Sequence, residues 1–256
     1  MTDKALDSRF SKDDFPRLLL FGTGNMALAL LGRMAAAKLP PVALALPATR
    51  SISVRPLPPP DALALPMAAT TPRLALIEGA QRAALPIVDV GRWDDDSLAW
   101  LRAQRVDVAL VACWPTRLPP AALAVPTHGF WNLHPSRLPD YRGPAPLFWQ
   151  RRDGLTESAV TWHRMDADFD AGPIIAQQRV TLPDGAAMAT LDALMGDSAF
   201  PLLANALAAL RNGTLRPTPQ PSGGSYQGHP TAADYAPAPS WTAEHRRNFL
   251  ALFEGV

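Results

Sequence analysis

The chain has 256 residues, 48% of them apolar, and its 24 basic and 23 acidic side chains leave a formal charge of +1. That is enough chain for one large domain with a sizeable core, and the scattered Lys and Arg residues announce neither a nucleic-acid nor a membrane surface. Cys113 is the single cysteine, which excludes a disulfide framework and any multi-cysteine zinc or iron–sulfur site and fits a reducing, cytoplasmic compartment.

Residues 1–15 carry Asp3, Asp7, Asp13 and Asp14 without an apolar run. They resemble neither a signal peptide nor a membrane span, so a polar tail is expected. Arg17–Phe21 reads as a strand running into the turn Gly22-Thr23-Gly24-Asn25-Met26-Ala27, and an Ala/Leu-rich helix follows to about Lys38. Val42–Leu46 is a second strand, and 47–69 a proline-interrupted connection. A helix over 72–84, a strand at Ile87–Val90, a helix over 95–104 and a strand at Val106–Cys113 continue the alternation. This pattern implies an α/β fold: a Rossmann-like, mostly parallel sheet with helices on both faces. His128–His134 is a further strand, followed by a helix at 145–152. Ala159–Met165 and Ile174–Leu182 form a β-pair, and a long helix over 186–211 is expected to bend at Pro201. The 28 prolines, about twice the usual ~5%, mostly punctuate loops. From Asn212 the chain is Pro/Gly/Ser-rich until a short helix near 242–252. The expected division is a tail at 1–15, a catalytic domain at 16–211 and an extension at 212–256.

The first turn fits Gly-x-Gly-x-x-Ala through Gly22, Gly24 and Ala27, which raises a dinucleotide site. Such a site wants an acidic residue about 20 residues on, at the end of the second strand. Residues 42–50 read VALALPATR and offer none, although Arg50 suits a 2′-phosphate, so an NADP-binding oxidoreductase is a minor alternative. The plainer reading is a tight βα turn. Gly22, Thr23, Gly24 and Asn25 are also placed to cradle an anionic part of a substrate at the helix N-terminus.

The densest chemistry lies at 131–143, WNLHPSRLPDYRG. Asn132 and His134 are two apart on one strand, so their side chains share a face. Pro135 and Pro139 stop the strand and stiffen the loop, keeping the pair near the edge where open α/β sheets place their sites. A second stretch at 160–173, VTWHRMDADFDAGP, carries Asp166, Asp168 and Asp170 in a turn closed by Gly172 and Pro173. Loop aspartates commonly bond their own backbone, and that structural role is expected of Asp168 and favoured for Asp166. An Asn-His pair meeting an Asp is an acyl-transfer set. The amide stabilises an oxyanion, the imidazole donates or moves protons, and the carboxylate tunes the imidazole.

Asn132, His134, Pro135, Ser136, Leu138, Pro139, Arg142, Gly143 and Pro146, with Val160, Thr161, Met165, Asp166, Asp170, Gly172 and Ile174, resemble the signature of 10-formyltetrahydrofolate-dependent formyltransferases. That family includes methionyl-tRNA formyltransferase, glycinamide ribonucleotide formyltransferase and amino-sugar N-formyltransferases, and the likeness covers roughly 17–211. It implies Asn132, His134 and Asp170 as the catalytic trio, 10-formyltetrahydrofolate as co-substrate, and no metal. The implied mechanism is attack of an unprotonated amine on the formyl carbon, with Asn132 and a protonated His134 holding the oxyanion and Asp170 raising the pKa of His134.

By the same resemblance the donor lies between Cys113–Leu118 and Met165–Gly172, engaging Cys113, Trp114, Pro115, Leu118, Met165, Asp166, Asp168 and Gly172. Ser136 and Arg142 are assigned to the substrate, Arg142 as a grip on an anionic group. Trp114 is either a pocket wall or ordinary packing. Cys113 shows no sign of activation, and His163, on the face opposite Trp162, is expected to serve packing at the core or rim. The tail after Asn212 is too short for the tRNA-binding barrel of usual methionyl-tRNA formyltransferases. The expected acceptor is therefore a small-molecule amine, such as an amino sugar on a nucleotide or an amino-acid-derived metabolite. Methionyl-tRNA is the runner-up, and a silent folate-binding paralogue the remaining alternative.

Overall fold

The structure, a computed structural model, describes residues 15–58 and 71–254. All but the last residue of the expected polar tail at 1–15, and 59–69 of the 47–69 connection, lie outside the described residues. Eight strands form one sheet: β1 (Leu18–Gly22), β2 (Leu44–Pro47), β3 (Val54–Pro56), β4 (Ile87–Val90), β5 (Val108–Ala112), β6 (Phe130–His134), β7 (Glu157–Arg164) and β8 (Ile174–Thr181). Their order is β3-β4-β2-β1-β5-β6-β7-β8. The central strands β4, β2, β1, β5 and β6 run parallel, while β3, β7 and β8 are antiparallel additions. The helices are α1 (Gly24–Ala36), α2 (Pro72–Arg82), α3 (Asp95–Ala103), α4 (Pro120–Leu123), α5 (Pro146–Arg152), α6 (Met188–Arg211) and α7 (Ala243–Leu250).

Two elements escaped the sequence reading. The short edge strand β3 sits inside the proline-interrupted connection, held by pairing with β4, and α4 is a single turn started by Pro120. Expected signals operate elsewhere: the Asp94 carboxylate and the Ser97 hydroxyl form a reciprocal capping box that starts α3. Pro201, where a bend was expected, lies inside α6, which runs as one helix from Met188 to Arg211.

Because side chains alternate along a strand, each strand feeds two layers. Leu18 and Leu20 of β1, Leu110 of β5, Trp131 and Leu133 of β6 and Trp162 of β7 face α1, α2, α5 and α6. Leu19 and Phe21, Ala109 and Val111, and Phe130 face α3 and α4. Past Phe130 this second layer loses its apolar residues. The positions that would continue it are Asn132 and His134 on β6, paired in register with His163 and Thr161 on β7. Loops, not a helix, cover them.

Candidate active site

The uncovered face of β6 and β7 is closed by the loop after β6, by the turn between β7 and β8, and by the chain after α6. Asp170 reaches into the middle. Its Oδ1 accepts a bond from Asn132 Nδ2 at 3.2 Å, and its Oδ2 accepts the Gly143 backbone N–H at 2.9 Å. His134 Nδ1 lies 3.6 Å from Oδ2 and His163 Nε2 3.4 Å from Oδ1. The structure thus brings together Asn132, His134 and Asp170 from two segments 36 residues or more apart in sequence. The turn that delivers Asp170 is tight: a Cβ on Gly172 would stand 1.8 Å from the Arg164 carbonyl oxygen, so no other residue fits there.

His163 is the residue the sequence reading misplaced. It was expected in packing, yet it is 1% exposed inside the polar cluster. Its Nδ1 lies 3.2 Å from the Arg164 carbonyl oxygen, and its Nε2 lies 3.1 Å from Asn132 Nδ2 and 3.4 Å from Asp170 Oδ1. The signal was available. Trp131 and Leu133 alternate with Asn132 and His134, Val160 and Trp162 alternate with Thr161 and His163, and burying the apolar set of both strands in one layer puts the polar set of both on the other. A bulge in the β7–β8 pairing falls at Trp162/His163, a device that re-aims side chains next to sites.

The geometry also shows how Asn132 is used. Its Nδ2 atom, Asp170 Oδ1 and His163 Nε2 form a nearly equilateral triangle of 3.2, 3.4 and 3.1 Å. The Asn132 amide nitrogen thus stands within hydrogen-bond distance of both groups, its two N–H bonds directed into the cluster.

His134 is 4% exposed, and its Nε2 lies 2.8 Å from the Tyr141 carbonyl oxygen. Both ring nitrogens thus face oxygen acceptors. Burial pushes the His134 pKa down, with Asp170 and the Tyr141 carbonyl acting upward against it, and the net direction is below 6.5. The expected upward influence of Asp170 is present, but desolvation outweighs it. Burial also opposes ionisation of Asp170, yet His134, His163 and the Gly143 N–H together hold its carboxyl well below the usual carboxylate range.

The two loops assigned to the donor meet. The Arg117 guanidinium carbon stands 4.4 Å from the centroid of the Phe169 ring, and that ring is 46% exposed. Trp114 packs edge-on against Phe21 at 5.3 Å, and its buried indole N–H has no hydrogen-bond partner. It is both packing and an unspent donor. Cys113 and Pro115 are exposed, Leu118 is buried under the α3/α4 layer, and Met165 packs partly buried against the same layer. Asp166 Oδ1 accepts the Asp168 backbone N–H at 3.0 Å, the turn-forming role expected of these two residues.

Three substrate assignments change character. The Ser136 hydroxyl is fully buried and donates to Asp140 O at 2.7 Å, so it closes its own loop. The Arg142 guanidinium is held by Gln220 Oε1 at 2.7 and 3.1 Å and by Gly223 O at 3.4 Å, which makes it a strut between chain segments and not a free anion grip. Gly22 is explained by packing, since a Cβ there would lie 2.5 Å from Ala112 O. Thr23 N donates to that same carbonyl, while Thr23, Gly24 and Asn25 stay partly exposed at the N-terminus of α1.

Residues 80–203 match the family model described as formyl transferase. A methionyl-tRNA formyltransferase from Xanthomonas campestris is 38% identical over 126 residues, which are 49% of this chain and 41% of that protein. The chain therefore spans less than half the length of that curated relative. Among solved structures, HypX from Aquifex aeolicus in complex with tetrahydrofolic acid superposes on 94% of this chain and 35% of its own, with TM-score 0.63 and 14% identity. A sugar 3N-formyl transferase solved with dTDP and 5-N-formyl-THF covers 84% of this chain and 70% of its own, with TM-score 0.57 and 15% identity. The polar cluster on β6 and β7 and the glycine-closed turn that feeds it both lie within residues 80–203, the stretch that matches the formyl transferase model.

Proposed function

We propose that this protein transfers a formyl group from 10-formyltetrahydrofolate to a primary amine, with Asn132, His134 and Asp170 as its catalytic residues. The observation that carries the reading is the convergence of an amide, a buried imidazole and an ionised carboxylate on a stretch of sheet face that loops cover. The amine nitrogen forms its bond to the formyl carbon as the bond from that carbon to the folate nitrogen breaks, and the proton lost by the amine ends on the folate nitrogen. An N–H of Asn132 exchanges its resting partner for the negative charge developing on the carbonyl oxygen. His134 adds a second donor by exchanging the Tyr141 carbonyl for that oxygen. Asp170 stabilises the imidazolium and relays the amine's proton, directly or through water.

The folate ring fits between the loops 113–118 and 165–172, where the unspent Trp114 N–H, Pro115, Leu118 and the backbone beside Met165, Asp166, Asp168 and Gly172 would hold it. The acceptor approaches from the side of Gly22, Thr23, Gly24 and Asn25. A small amine, of amino-sugar or amino-acid origin, is our favoured acceptor, and the sugar transferase fold match supports it. The methionyl-tRNA relative keeps a charged tRNA in the test. In this reading residues 16–211 are the catalytic unit, 212–256 an extension, and the location cytoplasmic.

Incubation with 10-formyltetrahydrofolate and a panel of amines that includes methionyl-tRNA should yield tetrahydrofolate and formylated product together. Asn132→Ala should slow transfer by roughly 10²–10³, about 2.7–4 kcal/mol of barrier. Tetrahydrofolate release that no acceptor accelerates would reassign the protein as a hydrolase.

A further inference from the structure

The segment that completes this site lies outside the matched domain. After α6 the chain returns across both catalytic loops. Thr218 pairs with Ile174 at the exit of the Asp170 turn, and Tyr226 pairs with Arg142 in the loop after β6. Between these anchors stands Gln220. Its Nε2 donates to Asp170 O at 2.7 Å and to Gly172 O at 2.8 Å, and its Oε1 accepts from Arg142 Nη2 at 2.7 Å and Nε at 3.1 Å. Both N–H bonds and both lone pairs are committed, and the two Arg142 bonds decide which way the amide faces.

These contacts close a ring. Gln220 fixes the backbone at Asp170 from one side and the Arg142 side chain from the other. Gly143, next to Arg142, donates its N–H to the Asp170 carboxylate. The ring constrains a residue that needs constraint, because Asp170 has φ +53, a conformation that residues other than glycine seldom adopt unless their surroundings impose it. We infer that Gln220 is a positioning residue for the transfer reaction, holding the Asp170 backbone so that its carboxylate reaches Asn132, His134 and His163. The inference rests on the formyl-transfer reading for its kinetic part only.

The test is Gln220→Met, which keeps the side chain's length and removes its hydrogen bonds, made alone and together with Asp170→Asn. Alone it should lower kcat about tenfold with the donor KM changed less than twofold. In the Asp170→Asn background it should change nothing further, since the group it positions is already disabled. A purely structural contribution would lower kcat equally in both backgrounds, and that result, or wild-type kcat in the single variant, overturns the inference. Should Gln220→Met fail to fold, Gln220→Glu keeps the bond to Arg142 and sets a carboxylate against two carbonyls, with the same expected pattern. Failure of the wider reading shows separately, as an Asp170→Asn protein that transfers formyl at the wild-type rate. Gln220 is then judged by imidazole NMR, in which Gln220→Met should move the His134 titration midpoint down by about half a pH unit or more as the carboxylate drifts away. An unmoved midpoint refutes it.

Discussion

The two halves of the sheet are built on different rules. From β2 through β1 to β5 each strand is apolar on both faces, so Leu20, Leu46 and Leu110 are as buried as Phe21 and Val111. On β6 and β7 one face keeps this rule through Trp131 and Trp162, while the other carries Asn132, His134, Thr161 and His163 beneath loops. Helices cover apolar faces well but present few unspent backbone groups. Loops bring free N–H and C=O groups, and here the Gly143 N–H and the Tyr141 carbonyl are partners that a buried polar cluster requires.

The difference should separate stability from activity. Leu30, fully buried in the layer between the sheet and α1 and α6, is expected to cost about 2–5 kcal/mol of stability as Leu30→Ala, with kcat of the folded fraction unchanged. Denaturant unfolding beside active-site titration checks both halves of that statement. A smaller effect is expected from His163→Phe, which keeps a ring but removes the nitrogen that stands beside Asn132 and Asp170. It should slow transfer about five- to tenfold, the worth of one hydrogen bond of about 1–1.5 kcal/mol, with little change in donor KM. An unchanged kcat would return His163 to simple packing.

The smallest effect is in pH dependence and arises only in the loop-covered half. The folded His134 pKa is below 6.5, so the unfolded chain binds more protons under that pH. Stability from this group is complete above about pH 6.5 and is lost as pH falls toward the folded value. Asp170, also lowered, holds its contribution above 3.8 and loses it below. His134→Asn should therefore flatten the stability curve just under pH 6.5 and also soften the fall below pH 4, because His134 is one of the groups that hold Asp170 ionised. Urea midpoints at closely spaced pH values would show it.

Much of the architecture was legible because it depends on local periodicity. The alternation of strand and helix from Arg17 to Cys113, the hairpin of β7 and β8 and the helix at Met188–Arg211 all follow from residues near one another in the chain. Strand β3 was hidden because it pairs only through β4, more than 30 residues on, and prolines mask it locally. The site divides in the same way. Asn132 and His134 are two apart on one strand, and their shared face is a property of strand geometry alone.

What the sequence determined by itself was the chemistry of the two motif blocks, because side-chain identity and a two-residue period need no tertiary information. The tertiary structure alone decided which groups meet. The register between β6 and β7 turns His163 from a packing residue into a partner of Asn132, burial reverses the expected shift of His134, and the returning chain converts Arg142 from a ligand grip into a strut bound to Gln220. Each of these depends on distances and desolvation set by residues tens of positions apart, which local patterns do not encode.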